Sequence, residues 1–260
     1  MIYKRHRYPD GTVYAEITDF TSPVITERIN TYEDLFFIKS LKDICDYNGI
    51  KNVVLRIPCM FQQQHDRRFD SNQSFELKLV CDFINSCNFD KVYVYHPHSD
   101  STQMGLNNCR TVDNSVFISK VLEDIGSRPM LFSTDAGSFK WINKLADILH
   151  YDDNVYSASK SRDIITHKLT QNVEKLDFEG KDILVLDDLC VFGGTFVGLA
   201  KLLKTRNVGK LYLAVSHMTV KNPNKELEEL YEKVYCTNSK YDEYELSNIK
   251  VFKSIDSYQD

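Results

Sequence analysis

Glycine, proline and long apolar runs are all scarce in this sequence. Its 260 residues include ten glycines and six prolines, too few for a collagen-like chain or for one dominated by linkers. No stretch reaches the roughly 18 consecutive apolar residues of a membrane-spanning helix, so we expect no membrane partner. Residues 1–7 lack the apolar segment of a secretory signal, so we do not expect export.

The cysteines form neither a disulfide framework nor a metal-binding pattern. There are seven of them, an odd number, at irregular spacing, and no Cys-x-x-Cys pair occurs. Free thiols that are buried in a reducing compartment explain this usage. We therefore expect a cytoplasmic protein.

Positive charge is also in deficit. The chain has 32 lysines and arginines against 37 aspartates and glutamates, a formal net charge of -5. Non-specific binding to nucleic acid depends on clustered positive charge, so we expect no nucleic-acid partner. Hydrophobic residues make up 42% of the chain, and its length suits one large or two modest domains.

Short apolar runs alternate with segments of helical periodicity along the whole chain. The predicted strands are residues 52–57, 90–95, 130–133, 182–186 and 210–215, and the predicted helices are 74–87, 138–149 and 196–203. Such alternation predicts α/β architecture with parallel sheets flanked by helices. Similar patterns on both sides of a polar stretch predict two halves, residues 1–122 and 123–260.

The most informative segment follows a fully apolar strand. Asp187 and Asp188 come first, then Gly193 and Gly194, and then Thr195, which we expect to cap the next helix. Ligands of open α/β sheets lie beyond the carboxyl ends of strands. Carboxylates accept hydrogen bonds from vicinal hydroxyls, and the amides of a glycine loop before a helix bind anions. The segment therefore predicts a site for a ribose with a phosphate; the alternative is an exposed turn that caps a helix.

This segment resembles the ribose-phosphate loop of type I phosphoribosyltransferases and of ribose-phosphate diphosphokinases, the PRPP synthetases. Five other segments stand in the order of the diphosphokinase family and favour it. They are an adenine loop at 8–13, an ATP segment at 56–68, a histidine segment at 96–99, a diphosphate loop at 133–140 and a catalytic loop at 159–162. The family's diphosphate loop has the pattern Pro-Asp-x-Gly-Gly.

The resemblance implies two phosphoribosyltransferase-like halves, each a mainly parallel sheet flanked by helices. The first half would carry the ATP segments, and the second would carry the diphosphate, catalytic and ribose-phosphate loops. The implied reaction moves the β,γ-diphosphate of MgATP to the anomeric hydroxyl of a ribose 5-phosphate compound and releases AMP. The implied cofactor is Mg2+, and the implied assembly is a homo-oligomer, at least a dimer.

The resemblance also implies roles for individual residues. The catalytic cations would be Lys160 and Arg162, which would face the transferred phosphoryl group. The residues that bind ATP would be Tyr8, Asp10, Gln64, His65, Asp66 and His98. The residues that bind the diphosphate and the acceptor would be Asp135, Ala136, Gly137, Ser138, Asp187, Asp188, Val191, Phe192, Gly193, Gly194 and Thr195. The metal ligands, direct or through water, would be His98 and Asp135.

Several positions depart from the family pattern. Gln64-His65 stands where the family has Arg-Gln, and Ser138 replaces the second glycine of the diphosphate loop. In the ribose-phosphate loop, Val191 and Phe192 stand where the family has an acid and a hydroxyl residue. A free phosphate monoester needs many donors, and an apolar lip suits it poorly. We therefore hypothesise an acceptor with a substituted 5-phosphate, ADP-ribose being the candidate.

Two other functions share parts of this pattern. A type I phosphoribosyltransferase has the same ribose-phosphate loop and consumes the 1-diphosphate, but it needs neither the Lys160-x-Arg162 pair nor an ATP segment. A non-catalytic, synthetase-like regulatory subunit would explain the substituted ATP segment. Retention of the acids and of the cation pair favours the enzyme.

Overall fold

The computed structural model describes residues 1–151, 155–162, 169–173 and 177–258; over 159–162 and 169–172 it describes the backbone alone. The chain forms two compact units that divide between Asp113 and Asn114. Both units are built of parallel sheet and helices, so the predicted fold class is confirmed. The functional division of the chain into an ATP half and a transfer half stays a prediction.

The first unit combines a hairpin with a four-stranded parallel sheet of order β3-β4-β5-β6. Its elements are β1 (Ile2–Arg7), β2 (Val13–Asp19), β3 (Val24–Thr26), α1 (Tyr32–Tyr47), β4 (Val54–Ile57), α2 (Glu76–Ser86), β5 (Lys91–Tyr95), α3 (Asp100–Gly105) and β6 (Cys109–Val112). Strands β1 and β2 pair antiparallel. The core contains apolar residues of α1, α2 and the parallel strands, and the hairpin packs against it.

The start of α1 also anchors the hairpin. Thr31 and Asp34 form a reciprocal capping box at the first turn. Arg5 of β1 donates to the Asp34 carboxylate at 2.6 Å, and its guanidinium lies 4.1 Å from the centre of the Phe37 ring. The hairpin that carries Tyr8 is therefore held to α1 by an ion pair and a cation–π contact.

The second unit contains one large sheet, with the described strands in the order β13-β12-β11-β10-β7-β8-β9. Its elements are α4 (Ser115–Ile125), β7 (Met130–Ser133), α5 (Ala136–Ile148), β8 (Tyr156–Arg162), β9 (Leu169–Val173), β10 (Ile183–Cys190), α6 (Gly194–Lys204), β11 (Leu211–Met218), α7 (Glu226–Leu230), β12 (Lys233–Thr237), β13 (Ile249–Phe252) and a 3-10 turn (Ser254–Ser257). All neighbouring strands pair parallel except β8 and β9.

Strand β10 is buried on both faces. Ile183 and Val185 belong to the core that contains α6, whereas Leu184 and Leu186 belong to the core that contains α4 and α5. Because successive side chains of a strand point to opposite faces, a strand between two layers of helices must be apolar at every position. This explains the uninterrupted apolar run in the sequence.

Two sequence expectations are corrected by the structure. We expected the apolar strand to end before Asp187, but β10 continues to Cys190, because β11 pairs with it as far as Met218. We expected Thr195 to cap α6, but the helix begins at Gly194, and Gly193, at φ +103°, is its N-cap.

The expectation about the thiols is confirmed: all seven cysteines are free and buried. Over the described ranges, no helix combines the length and the apolar character that crossing a membrane requires.

Candidate active site

The loop after β7 and the end of β10 meet at one edge of the large sheet. The two strands are parallel neighbours, and Leu186 lies beside Ser133. The next residues along each chain segment, Asp187 and Thr134, are therefore close together. Thr134, fully buried, donates its hydroxyl hydrogen to Asp187 at 2.5 Å. This contact joins two of the segments predicted to form the site, the diphosphate loop and the acidic pair.

The acidic pair is held in a poorly solvated position. Asp188 is buried, and its backbone N–H donates to Asp187 Oδ1 at 2.9 Å. Burial and then the neighbouring Asp188 carboxylate hold the pKa of Asp187 well above its usual range, although the Thr134 hydrogen bond opposes this. The pair resists carrying two full charges, and hydroxyl donors from a ligand would relieve that cost.

Asp135 closes the first turn of α5 on itself. Its carboxylate accepts from the backbone N–H of Gly137 at 2.9 Å and of Ser138 at 3.0 Å. These are two of the three amides that the sequence predicts to bind a diphosphate. Their engagement by Asp135 shows that both point to one position at the helix N-terminus, where an anion is favoured.

The glycine loop contains a residue with a left-handed backbone conformation, Gly193, which packs closely against Leu227. At Gly193, φ is +103°, and a Cβ atom there would lie 2.9 Å from Leu227 Cδ1 of α7. Val191 and Phe192 form an exposed lip, 43% and 59% accessible. The carbonyl of Phe192 accepts from the N–H of Asn224 at 2.8 Å, so the segment before α7 supports this lip.

The predicted catalytic cations lie on a strand. The backbones of Lys160 and Arg162 belong to β8, which pairs with β7 through Ser133 and Ser157 and with β9 through Lys160 and Gln171. Both residues therefore lie on a direct neighbour of β7, two positions apart. Their side chains lie outside the described residues, and their roles stay predictions.

In the first unit, one buried side chain joins two predicted ATP segments. Gln63 is 4% exposed, and its Oε1 accepts from the backbone N–H of His98 at 3.1 Å. The loop that carries Gln64, His65 and Asp66 is therefore fixed beside His98. Gln64, His65 and His98 themselves are exposed, and Asp66 is half-buried.

Tyr8 and Asp10 occupy the tip of the hairpin. Asp10 accepts from the backbone N–H and the hydroxyl of Thr12, at 2.9 and 2.7 Å, and so caps its own turn. Tyr8 is 54% exposed and lies against Tyr14, with ring centroids 5.1 Å apart; Tyr14 in turn stacks on His6 at 4.8 Å. The outer face of the hairpin therefore presents a short row of rings.

The predicted metal ligands, His98 and Asp135, belong to different units. Within the described residues, no group of three or more histidine, cysteine, aspartate or glutamate side chains is arranged to hold a metal ion. Magnesium that arrives with a nucleotide needs only one or two protein carboxylates, because phosphate oxygens and water complete its coordination. The Asp135 carboxylate fits such a limited role.

The chain resembles ribose-phosphate pyrophosphokinases in sequence and a phosphoribosylpyrophosphate synthetase in fold. No protein-family model matches the chain. A ribose-phosphate pyrophosphokinase of Methanobrevibacter smithii is 25% identical over 215 residues, which span 77% of this chain and 70% of the relative. One of Mycoplasma genitalium is 22% identical over 262 residues, which span 96% and 76%. The crystal structure of phosphoribosylpyrophosphate synthetase from Mycobacterium smegmatis aligns with a TM-score of 0.81 at 17% identity and covers 97% of this chain and 86% of that chain.

The chain is a divergent relative of the ribose-phosphate pyrophosphokinases. Pyrophosphokinase and diphosphokinase are two names for one activity, so the predicted family resemblance and the predicted enzyme class, a transferase, are both confirmed. The structural likeness to the synthetase establishes the fold.

Sequence reasoning missed residues that hold the candidate site residues in place. Thr134 and Ser133 bind the diphosphate loop together, Gln63 links the ATP segment to His98, and Leu227 packs on Gly193. For Thr134 the sequence offered one indication of a special role, since this residue stands where the family pattern has proline. Gln63 and Leu227 act through contacts that no local pattern reveals.

Replacement of Gly193 by alanine should destabilise the protein by about 1–3 kcal/mol, because it adds left-handed strain and a collision with Leu227. The expected fall in the thermal unfolding midpoint is several degrees. Gly194→Ala is the matched control: a Cβ there meets no atom within 4 Å, so little change is expected. Gly180→Ala, at φ +72° in open space, measures the strain alone. Equal stability of the Gly193 and Gly194 variants would contradict this account.

Asp187→Asn should raise the unfolding midpoint near pH 7 by about 2–6 °C, because the amide removes a charge that the folded state disfavours. A raised folded pKa means that the wild type loses stability as pH rises, so the gain should shrink as pH falls toward about 4.

Asp124→Asn provides the control of opposite sign. Hydrogen bonds from Lys250 and Lys233 lower the pKa of Asp124 to about 2, so its contribution to stability is present at neutral pH and lost in acid. This variant should be less stable than the wild type at pH 7. A destabilised Asp187→Asn protein at pH 7 would show that the carboxylate is not under strain.

Proposed function

We propose that the chain transfers the β,γ-diphosphate of MgATP to the anomeric hydroxyl of a ribose 5-phosphate compound and releases AMP. The anomeric oxygen forms a bond to the β-phosphorus, and the bond from that phosphorus to the bridging α,β oxygen breaks. The bridging oxygen leaves with AMP, and the anomeric proton passes to solvent or a base. The observation that supports the proposal is the Thr134–Asp187 hydrogen bond, which joins the segment predicted to bind the diphosphate to the acidic pair.

The acceptor side of the reaction uses the end of β10 and the glycine loop. Asp187 and Asp188 accept hydrogen bonds from the ribose hydroxyls. The amides of Gly193, Gly194 and Thr195, at the positive end of α6, bind the 5-phosphate. The left-handed backbone at Gly193 lets the loop turn into the helix there.

The transfer side uses β8 and the loop after β7. Lys160 and Arg162 stabilise the charge on the β-phosphoryl group as it moves, since this chemistry asks mainly for positioning and electrostatic stabilisation. The amides of Ala136, Gly137 and Ser138 bind the diphosphate once the Asp135 carboxylate releases two of them. Asp135, so released, is the candidate carboxylate for the magnesium ion of MgATP.

The nucleotide side is assigned to the first unit. Gln64, His65, Asp66 and His98 contact ATP from two loops that Gln63 holds together. The exposed hairpin tip with Tyr8 and Asp10 reaches the adenine of a neighbouring subunit, so the proposed enzyme is at least a dimer. Stacked rings on an exposed surface suit a purine base.

The finer proposal concerns the acceptor, and the exposed lip supports a bulky substituent on its 5-phosphate. Phe192 is 59% exposed and directly precedes the residues whose amides are proposed to bind the 5-phosphate. The backbone N–H of Asn224 donates to the Phe192 carbonyl. Lys221, three residues before Asn224, is exposed, and its ammonium lies 5.4 Å from the centre of the Tyr241 ring. A cation on the segment that supports the lip, with an aromatic ring near it, fits a second phosphate and a base. ADP-ribose is the proposed acceptor of this class.

Incubation with MgATP and a panel of ribose 5-phosphate compounds should yield AMP and a new 1-diphosphate, measured by ion-exchange chromatography. Lys160→Ala should lower this turnover by about 10²–10⁵-fold. Lys181→Ala is the matched control, because this exposed lysine precedes β10 at the opposite end of the strand; its turnover should equal that of the wild type.

Two results would replace the proposal with an alternative. Base-dependent release of diphosphate from a ribose 1-diphosphate, without ATP, would identify a phosphoribosyltransferase. Binding of ATP without AMP formation for any acceptor would identify a regulatory subunit.

Phe192→Ala should raise KM for ADP-ribose about tenfold, the scale of one lost aromatic stacking contact, and leave KM for ribose 5-phosphate unchanged. Phe36→Ala is the control, since Phe36 is also exposed, at 65%, but lies on α1 in the first unit. Equal or better wild-type turnover with plain ribose 5-phosphate would remove ADP-ribose as the preferred acceptor.

A further inference from the structure

Two hydroxyl side chains of the diphosphate loop stand where the family pattern has no hydroxyl. Thr134 occupies the proline position of Pro-Asp-x-Gly-Gly, and Ser138 occupies the second glycine position. Both are buried, Thr134 fully and Ser138 to 4% exposure. Their oxygens lie 3.4 Å apart. The two substitutions therefore meet in space as well as in sequence.

Counting hydrogens assigns the direction of the three shortest hydroxyl bonds in this cluster; the Ser138 hydroxyl also lies 3.3 Å from the carbonyl and from the carboxylate of Asp135. A hydroxyl has one hydrogen to donate and two lone pairs to accept. Ser133 gives its hydrogen to the Asp135 carbonyl at 2.6 Å, so in the 2.7 Å contact between Ser133 and Ser138 the donor is Ser138. Thr134 gives its hydrogen to Asp187 at 2.5 Å, so neither Thr134 nor Ser138 has a hydrogen left for the other, and the 3.4 Å separation of their oxygens is a packing contact.

The consequence is a fixed orientation for the Asp187 carboxylate. Its Oδ2 accepts from Thr134 and its Oδ1 from the N–H of Asp188. An ionised carboxylate has about four acceptor positions, more than the Thr134 hydroxyl and the Asp188 N–H occupy. The Thr134 hydrogen bond therefore fixes the orientation of the Asp187 carboxylate and also connects the diphosphate loop to the acidic pair.

We propose that Thr134 is a positioning residue for the acceptor: its hydroxyl orients the Asp187 carboxylate toward the ribose hydroxyls and ties this carboxylate to the diphosphate loop. This inference rests on the proposed function, because it assigns the ribose to Asp187. It goes beyond that function because it assigns an effect on acceptor binding to Thr134, a fully buried residue.

Thr134→Val removes the hydroxyl and keeps the shape of the side chain. We expect KM for the acceptor to rise about tenfold, the scale of one hydrogen bond to a charged group, while KM for MgATP changes less than about twofold. Thr134→Ser keeps the hydroxyl and should restore KM for the acceptor to within about twofold of the wild type. A role in packing alone predicts the reverse order, with valine tolerated better than serine.

A control variant separates loss of the hydroxyl at this site from loss of a hydroxyl in general. Thr205 donates to the Leu202 carbonyl at 2.7 Å at the far end of α6, and Thr205→Val should leave both KM values unchanged. Thermal unfolding of each variant confirms that the protein assayed is folded. An unchanged acceptor KM in folded Thr134→Val protein overturns the inference.

The proposed function and this inference fail in different ways. If the wild type releases AMP and the Thr134→Val protein behaves identically, only the inference falls. If the wild type releases no AMP with any acceptor, calorimetric titration with ribose 5-phosphate and with ADP-ribose decides the matter. Weaker binding to the valine variant then supports the inference, whereas equal binding, or no binding to the wild type, overturns it.

Discussion

The parallel register between β7 and β10 is the constraint on which the site depends. Leu186 lies beside Ser133, so the residue after each of them is at the same height in the sheet and Thr134 reaches Asp187. Strand β10 is locked in this register because both of its faces are buried in separate cores. A slip of one residue would turn every side chain of β10 to the opposite core and would separate the acids from the diphosphate loop.

Much of this arrangement is predictable from the sequence, and the parts that are not have a physical reason. The apolar run of β10, the order of the loops and the acidic pair are local features, and they predict the α/β class and the family. The end of β10 is not local, because Asp187 and Asp188 resemble a strand terminus until β11 is seen to pair beyond them. The prediction that Thr195 caps α6 is wrong because Gly193 is the N-cap. A glycine can adopt the left-handed conformation found there, but its presence in the sequence does not show that it does so.

The hydroxyl cluster lies further beyond sequence reasoning. Thr134 and Ser138 are unremarkable residue types for a loop, and each alone is only a departure from a pattern. Their significance comes from the contact between them and from Asp187, which is distant in the chain. Gln63 is a similar case, since its side chain bonds a backbone amide of a different loop. Contacts of this kind require the fold before they can be identified.

Comparison of three carboxylates indicates which one is retained for function. Asp34 and Asp124 accept hydrogen bonds from cationic side chains, and both have lowered pKa values, so each stabilises the fold when ionised. Asp187 has a hydroxyl, a backbone amide and another carboxylate around it, and burial raises its pKa instead. An ionised acid in such a position does not stabilise the folded state, so its presence suggests a role other than stability. The proposed acceptor would supply that role, because ribose hydroxyls are donors that stabilise an ionised carboxylate.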